Sequence, residues 1–152
     1  MLNTIPSASD IQAAHNRIRS YIHRTTTLTN SYINGLVDAD IHFKCENFQK
    51  VGAFKARGGI NTVLSLSTDE LSKGVATHSS GNHAQAIALA AKQAGCKAYI
   101  VMPSSAPAIK RMAVKDYGAE IIECEPNLKA RESTLQQEEE NTAATYIHPY
   151  NE

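Results

Sequence analysis

The fold of the 152-residue chain is decided by residues 74–103, which read GVATHSSGNHAQAIALAAKQAGCKAYIVMP. This pattern predicts an apolar strand over 75–78, an alanine-rich helix over 84–94 that ends at Gly95, and a second strand over 99–102. A strand, a helix and a strand in succession are typical of a βαβ unit, whose two strands run parallel in one sheet.

The same alternation continues toward the end of the chain. Pro107 lies in the first turn of a predicted helix that ends near residue 117; a strand over 121–124, a helix over 128–140 and a strand over 145–148 follow. The predicted strands begin every 22 to 25 residues, as in a parallel sheet with helices on both faces. Residues 74–148 therefore predict an α/β fold, a three-layer parallel-sheet lobe.

Residues 1–73 form a less regular opening segment. Apolar residues at helical spacing predict a helix over 11–22, with Asp10 as its cap. Residues 41–45 alternate as a half-buried strand does, and a turn at 49–52 leads into a predicted helix over about 54–66.

Composition argues against several classes of protein. Hydrophobic residues make up 42% and charged residues 20%, which favours a packed domain over disorder. Fifteen basic and fifteen acidic side chains cancel, and no basic block stands out, which argues against a nucleic-acid partner. No apolar run approaches the ~18 residues that span a bilayer, and the first ten residues lack a signal-peptide pattern. We therefore expect a cytoplasmic protein without a membrane partner.

The cysteines and histidines do not predict a metal or redox site. Cys45, Cys96 and Cys124 are too far apart for a CxxC motif and lie in apolar stretches, so we interpret them as buried free thiols. The six histidines form no HExxH pattern, and His78 and His83 flank a turn rather than share a helix face.

One candidate site is the stretch GAFKARGG at residues 52–59. It places Lys55 at the start of a predicted helix, after a turn that contains Gly52. The partial positive charge of a helix N-terminus favours the neutral amine, which is the form that attacks a carbonyl carbon. Taken alone, this octapeptide favours the alternative, a solvated surface lysine.

The second candidate site is the stretch THSSGNHAQA at residues 77–86, between a predicted strand and the helix that follows. Ligands of open α/β sheets bind outside the carboxyl ends of the strands. Two serine hydroxyls, the Asn82 amide and free backbone N–H groups at a helix N-terminus suit a substrate carboxylate, and Gly81 permits close approach of a ligand. A Ser/Asn helix cap is the alternative, and it explains one or two of these residues.

Together the two stretches resemble the fold-type II pyridoxal-phosphate enzymes. That family pairs an F-K-x-R-G motif with an S-[SA]-G-N-H loop about 25 residues later, which here are residues 54–58 and 79–83. The resemblance extends from about residue 11 to residue 149 and is closest to the serine racemase and threonine or serine dehydratase members.

The resemblance implies a role for each matching residue. Lys55 would carry pyridoxal 5'-phosphate covalently and move the α-proton, and Phe54 would pack against the pyridine ring. Asn82 would approach the 3' oxygen of the cofactor. Ser80 would act as a second acid or base on the opposite face, as racemisation requires. The substrate carboxylate would bind to the loop formed by Ser79, Ser80, Gly81, Asn82 and His83.

The implied activity is the β-elimination of water from L-threonine or L-serine, which yields a 2-oxo acid and ammonia. Serine racemisation stays open because of Ser80. Two alternatives also stay open: hydroxyaspartate dehydratase activity within the same family, and a non-catalytic lobe that retains a carboxylate-binding loop.

The sequence departs from the family pattern in two ways. Ala53 stands where the family usually has a serine, which removes a capping hydroxyl worth ~1 kcal/mol. The family's phosphate-binding glycine loop, its residue facing the pyridine nitrogen and its divalent-cation ligands would lie beyond residue 152. The last predicted strand also lacks a crossover helix to cover its face, so we expect the chain to be a fragment that is inactive by itself.

The resemblance further implies a domain division. Residues 1–73 would be the N-terminal portion of a larger cofactor domain, residues 74–148 a small α/β domain, and residues 149–152 the start of the return to the larger domain. A full-length protein of this family is expected to form a homo-oligomer and to act on a small amino acid.

Overall fold

The computed structural model describes residues 5–149. The first helix, α1, spans Ala8–Ile18 and begins with a capping box, in which Ser7 accepts from the Asp10 backbone and Asp10 accepts from the Ser7 backbone. The helix predicted over 11–22 therefore exists, but it begins and ends earlier. The earlier start arises because Ser7, not Asp10, is the N-cap residue.

The next part of the opening segment differs from the prediction. A two-stranded antiparallel sheet pairs β1, Thr27–Leu28, with β2, Phe43–Lys44, and all four residues are exposed. Helix α2, Ser31–Val37, lies between the strands and was not predicted. The prediction of a half-buried strand over 41–45 is wrong in length and in burial, since only Phe43–Lys44 pair and both are exposed. The strand is short at its start because the Asn34 side chain accepts from the Ile41 backbone and holds that residue outside the ladder.

The segment before the main sheet contains two short 3₁₀ turns, Glu46–Phe48 and Lys50–Gly52, and two helices. Helix α3 spans Lys55–Ser65, which confirms the helix predicted over 54–66 to within one residue at each end. Helix α4, Thr68–Lys73, was not predicted, although Ser67 and Glu70 form a capping box at its start.

The main sheet is parallel, as predicted, with the strand order β5-β4-β3-β6. The predicted strands are all present, but β6 is shorter than expected. The strands are β3 Val75–His78, β4 Ala98–Pro103, β5 Glu120–Cys124 and β6 Thr145–Tyr146, and the connecting helices are α5 Asn82–Ala94, α6 Ala108–Asp116 and α7 Leu128–Thr142.

Alternate residues of the central strands face opposite cores, which confirms the three-layer arrangement. Val75 and Ile100 belong to the larger core, which also includes residues of α1, α3, α5 and α6. Ala76 and Val101 belong to a smaller core together with Leu135 of α7. This alternation follows from the two-residue period of a β-strand.

Helix α3 packs directly on α5, and this contact positions the two candidate sites relative to each other. Gly59 of α3 lies so close to Ala86 of α5 that a Cβ atom at Gly59 would be 3.1 Å from the Ala86 Cβ. The close approach brings the first turn of α3, with Lys55, beside the first turn of α5, with His83. Among residues 5–149, no helix combines the length and the apolar character needed to cross a membrane.

Candidate active site

A cavity of about 210 Å³ opens beside Lys55 at the carboxyl edge of the main sheet. Its walls come from the first turns of α3, the start of α5 and the segment that follows β6. The lining residues are Phe54, Lys55, Gly58, Gly59, Asn61, Thr62, His83, Ile147, His148 and Pro149. The site thus occupies the position where parallel sheets usually bind their ligands.

A strained turn delivers Lys55 to this cavity. Val51 and Gly52 both have positive φ angles, of 56° and 66°; the first is costly for a β-branched residue. Lys55 follows as the first residue of α3, and its Nζ donates a hydrogen bond to the Pro149 carbonyl oxygen at 2.7 Å. The same Nζ lies 5.7 Å from the centre of the Phe54 ring, a side chain that is 63% exposed.

His83 supplies a buried imidazole to the same cavity. Its side chain is only 8% exposed. Burial lowers the pKa of His83 to about 4, a hydrogen bond with the Ile147 backbone opposes this shift, and the positive charge of Lys55 adds to it. The ring is therefore neutral at pH 7, and its Nε2 atom has no hydrogen-bond partner among the described residues.

The loop before His83 is held by backbone and side-chain contacts. The Ser79 N–H donates to the Val101 carbonyl oxygen at 3.1 Å, and the Gly81 N–H donates to Ser79 Oγ at 3.2 Å. Lys110 Nζ donates to Asn82 Oδ1 at 2.8 Å. Because that contact occupies the amide oxygen, the amide nitrogen of Asn82 is left as a hydrogen-bond donor.

The structure brings together only some of the residues predicted to form the site. Phe54, Lys55 and His83 line one cavity. The other loop residues predicted to bind substrate or cofactor, Ser79, Ser80, Gly81 and Asn82, immediately precede His83 but do not line this cavity. A Cβ atom at Gly81 would meet no atom of the described residues within 4 Å, so the space over the loop is open.

The segment after β6 is a part of the site that the sequence analysis missed. Ile147, His148 and Pro149 line the cavity, and Pro149 bonds to Lys55. Tyr146 lies between two histidines: its hydroxyl is 3.4 Å from His78 Nε2, and its ring centre is 5.6 Å from that of His148. The one indication available from the sequence was a general rule, that the carboxyl ends of parallel strands lie at the same edge of a sheet.

The ion pair behind Lys55 was also missed. Arg57 donates from Nε and Nη2 to the two carboxylate oxygens of Glu46, at 2.8 and 2.7 Å, and Thr25 donates to the same carboxylate at 2.6 Å. The Arg57 hydrogen bonds lower the pKa of Glu46 to about 2. This bidentate pair ties α3 to the 3₁₀ turn over residues 46–48 and so supports the helix that begins at Lys55.

The three cysteines are free, as predicted, but each is half-buried rather than fully buried. Burial raises the pKa of the Cys96 and Cys124 thiols, which keeps them protonated at pH 7. Within residues 5–149, no group of three His, Cys, Asp or Glu side chains is placed to hold a metal ion.

The cavity suits one kind of ligand chemistry. An amine at Lys55, an exposed aromatic ring at Phe54 and the buried Nε2 of His83 fit a flat ligand that carries a carbonyl group. An amine can form a covalent bond with such a carbonyl, and the ring offers a face to pack against it.

Comparison with known proteins identifies relatives that share both the sequence and the fold. Residues 18–152 match the family model described as "Pyridoxal-phosphate dependent enzyme". Serine racemase of Dictyostelium discoideum is 50% identical over 141 residues, 93% of this chain and 44% of that protein. Beta-hydroxyaspartate dehydratase of Paracoccus denitrificans (strain Pd 1222) is 47% identical over 148 residues, 97% of this chain and 47% of that protein.

Two solved structures agree with these sequence matches. The crystal structure of Dictyostelium discoideum serine racemase superposes with a TM-score of 0.90 at 49% identity, over 95% of this chain and 47% of that one. The structure of maize serine racemase superposes with a TM-score of 0.93 at 45% identity, over 97% of this chain and 45% of that one. The chain therefore spans less than half the length of these relatives.

Proposed function

Because the chain belongs to the pyridoxal-phosphate dependent enzyme family, we propose that Lys55 holds pyridoxal 5'-phosphate covalently in an enzyme that eliminates water from L-threonine or L-serine. The observation that carries this proposal is the convergence of Lys55, Phe54 and His83 on one cavity. Two relatives of similar identity support the chemistry, since one is named a serine racemase and the other a dehydratase.

Two side chains of the cavity, Lys55 and Phe54, have proposed roles in the reaction. The bound cofactor supplies an electron sink for the negative charge that proton loss leaves at the substrate Cα. Lys55 takes that proton through Nζ, and Phe54 packs against the flat ring. The hydrogen bond from Lys55 to Pro149 holds the amine at the cavity wall.

The loop over residues 79–83 is proposed to bind the substrate carboxylate. It precedes and begins α5, whose free N–H groups carry a partial positive charge. Asn82 presents its amide nitrogen as a donor because Lys110 occupies its oxygen. The Lys110 ammonium also adds a full positive charge beside this loop, which favours an anionic group.

Ser80 is proposed as the acid that returns a proton on the face opposite Lys55. Racemisation requires one group to remove the α-proton and another to deliver a proton from the other side. Ser80 is half-buried in the loop, next to the residue whose hydroxyl accepts from Gly81. With Ser80 active the product is the other enantiomer, and without it the elimination of water continues.

The lysine assignment can be tested in a chimera that joins residues 1–152 to the remaining part of Dictyostelium discoideum serine racemase. Borohydride trapping and peptide mass spectrometry should find the cofactor attached at Lys55. Lys55→Ala should lower ammonia release at least about 10³-fold, because both the attachment point and the base are lost. Lys73→Ala, which removes an exposed lysine paired with Asp69, is the control and should retain activity. Trapped cofactor in the Lys55→Ala protein would refute the assignment.

The same chimera separates racemisation from elimination. Ser80→Ala should abolish formation of D-serine from L-serine while 2-oxo acid release continues, and Ser79→Ala should reduce both through weaker carboxylate binding. Chiral chromatography and a coupled 2-oxo acid assay measure the two products. Undiminished D-serine formation by Ser80→Ala would exclude this serine as the second acid.

A second candidate function is the dehydration of 3-hydroxyaspartate, which the match to beta-hydroxyaspartate dehydratase favours. This substrate carries a second carboxylate, so it needs one more cationic partner than serine does. A panel of L-serine, L-threonine and 3-hydroxyaspartate at equal concentrations distinguishes the substrates through kcat/KM.

We also propose that residues 1–73 belong to a larger cofactor domain, residues 74–148 form the small domain and residues 149–152 begin the return to the larger one. Less than half of each relative is matched, and the proposed phosphate-binding loop lies outside this chain. Calorimetry with pyridoxal 5'-phosphate on the 152-residue chain should show weak binding, and serine or threonine should not be converted. Tight cofactor binding by the 152-residue chain would contradict this division, and amino-acid binding without turnover in the chimera would favour a non-catalytic lobe.

A further inference from the structure

A second cavity, of about 510 Å³, lies in the opening segment and shares no lining residue with the cavity at Lys55. Its wall combines the last turns of α1, the turn that follows, β2 and the first turns of α3. Apart from one isoleucine, every lining side chain is basic or an imidazole: His15, Arg19, His23, Arg24, Lys44 and Arg57. We call this cavity the basic pocket.

The positive charge of the basic pocket is not balanced by the described residues around it. Four of its side chains are permanent cations at pH 7. Within residues 5–149, Glu46 is the one carboxylate that pairs with them, through Arg57, so three positive charges remain uncompensated there. Arg19 and Arg24 make no salt bridge with any acidic residue between 5 and 149.

The other hydrogen bonds around the basic pocket order its backbone and do not neutralise its positive charge. Lys44 Nζ donates to the Thr25 carbonyl oxygen at 2.5 Å, and the Thr25 hydroxyl donates to Glu46. The His23 backbone N–H donates to Gln49 Oε1 at 2.8 Å, and Gln49 Nε2 donates back to the His23 carbonyl oxygen at 2.8 Å. These bonds fix the backbone on either side of Arg24, so the Arg24 side chain is attached to an ordered segment.

Like charges that face one concavity repel one another and raise the local concentration of anions. Guanidinium groups bind phosphate oxygens through paired N–H donors, and such bonds are charge-assisted. The volume of the pocket admits a small ligand, and three uncompensated charges match a ligand with more than one anionic group.

We propose that the basic pocket is a binding site for a small polyanion, namely a phosphorylated metabolite that carries a diphosphate or two phosphate groups. Arg19 and Arg24 are the residues that contact it, because they are the two arginines of the pocket without an anionic partner among residues 5–149. Arg57 and Lys44 also line the pocket, where contacts with Glu46 and Thr25 already hold them. The proposal is independent of the reaction proposed for Lys55.

Isothermal titration of the 152-residue chain with inorganic pyrophosphate, at fixed ionic strength and pH 7, tests the proposal. Saturable binding with one site per chain is expected, and inorganic phosphate should bind at least tenfold more weakly. Arg19→Ala and Arg24→Ala should each weaken pyrophosphate binding at least tenfold. Both side chains are exposed, so the variants should fold, which the circular dichroism spectrum and the urea midpoint verify.

Arg17→Ala is the matched control. Arg17 lies in the last turn of α1, two residues before Arg19. Its removal changes the net charge equally, and its side chain bonds to Asn61 outside the basic pocket. This variant should bind pyrophosphate within twofold of the unaltered chain, and Lys55→Ala should do the same. If Arg17→Ala and Arg24→Ala weakened pyrophosphate binding equally, the binding would depend on overall charge and not on the basic pocket. If Lys55→Ala weakened it, pyrophosphate would bind in the cavity at Lys55. Either result overturns the proposal.

A further titration uses the chimera with the second part of Dictyostelium discoideum serine racemase. Retained binding there supports a ligand site in the longer protein. Loss of binding in a chimera that still folds would show that acidic side chains of the added part fill the pocket, which overturns the assignment of a small-molecule ligand.

Discussion

The sheet lobe, residues 74–149, and the opening segment, residues 5–73, bury their side chains in different ways. In the sheet lobe every residue of β3 and β4 is buried, and nine of the thirteen residues of α5 are buried as well. In the described part of the opening segment β1 and β2 are fully exposed, and α3 is the one helix that buries several residues, mainly against α5. The smaller core is built from residues of the sheet lobe alone, whereas the larger core is shared, because α1 and α3 of the opening segment contribute residues to it.

The distribution of exposed apolar side chains shows the same contrast. Nine large apolar side chains are exposed within residues 5–73: Ile5, Ile11, Leu28, Tyr32, Leu36, Val37, Phe43, Phe48 and Phe54. Residues 74–149 expose three, Ile109, Met112 and Leu128. The border between the two regions carries the candidate chemistry, since Lys55 comes from one side and His83 from the other. Substitutions at this border should therefore change the free energy of unfolding by a different amount from substitutions within either region.

The largest effect is expected for Gly74→Ala, at the junction of the two regions. Gly74 has φ +91°, and an added Cβ would lie 2.9 Å from the Lys97 carbonyl oxygen. Backbone strain and this overlap should cost roughly 2–4 kcal/mol of unfolding free energy, as measured by urea unfolding. Gly95→Ala is the control: its φ is +72° but no atom lies within 4 Å, so about 1 kcal/mol is expected. Equal losses would show that the overlap is relieved at no cost.

Gly59→Ala should have the next largest effect, because it separates α3 from α5. The added Cβ would lie 3.1–3.3 Å from Ala86, and overpacking of this kind should cost roughly 1–3 kcal/mol. It should also move Lys55 away from His83, which the imidazole chemical shifts of His83 would report.

Gly58→Ala controls for the change in helix propensity. Gly58 is the neighbouring residue, and its added Cβ would meet no atom within 4 Å, so a gain of about 0.5–1 kcal/mol is expected. A similar loss in both variants would mean that the contact between α3 and α5 is not close.

The ion pair of the opening segment should make stability depend on pH. The pKa of Glu46 is lowered from its ordinary value of 4.5 to about 2 by Arg57. The ionised form is thus favoured in the folded state, so the stabilisation is present above pH 4.5 and is lost as the pH falls toward 2. After a discount for solvent screening, Glu46→Gln should remove about 1–2 kcal/mol at pH 7 and much less at pH 2.

An ion pair of the sheet lobe provides the comparison. Arg111 pairs with Glu123, whose side chain is 53% exposed, and Glu123→Gln should change the unfolding free energy by less than about 0.5 kcal/mol. Urea unfolding of both variants between pH 2 and pH 7 makes the measurement. If Glu123→Gln lowered the unfolding free energy as much as Glu46→Gln does, the two regions would not differ in the strength of their ion pairs.

The smallest effect is expected for Ala53→Ser, before the first turn of α3. Ala53 has extended dihedral angles and precedes the helical residues, which is the geometry of a capping residue. A serine hydroxyl there should accept from a free N–H of the first turn and add about 0.5–1 kcal/mol. Ala53→Val, which cannot cap, should not stabilise the chain. Destabilisation by serine would mean that the buried position does not admit the hydroxyl.

The parts of the fold that were predicted are those whose signal is local. The apolar run of β3, the alanine-rich face of α5 and Gly95 at its end lie within one stretch of sequence, and each element was found within two residues. Lys55 and the loop over 79–83 were also identified from short motifs. The structure confirms that Lys55 begins a helix, and its proposed chemical role stays a prediction.

The parts that were missed depend on side-chain contacts or on distant residues. Helix α2 is short, and the Asn30 cap at its start was not recognised as a signal. The start of α1 differs from the prediction because Ser7 caps the helix in a capping box with Asp10. The bidentate bond between Arg57 and Glu46 could not be read from sequence spacing, because 3₁₀ turns lie between them.

Periodicity alone determined that this chain forms a parallel α/β sheet, because the spacing of apolar residues sets which face of each strand and helix is buried. Only the tertiary structure decided that β6 lies beside β3, which brings Pro149 to Lys55 and Tyr146 to His78. It also decided that α1, β2 and α3 place their cations around one pocket. Strand order and the meeting of distant helices depend on packing between whole elements, and no short stretch of sequence encodes that.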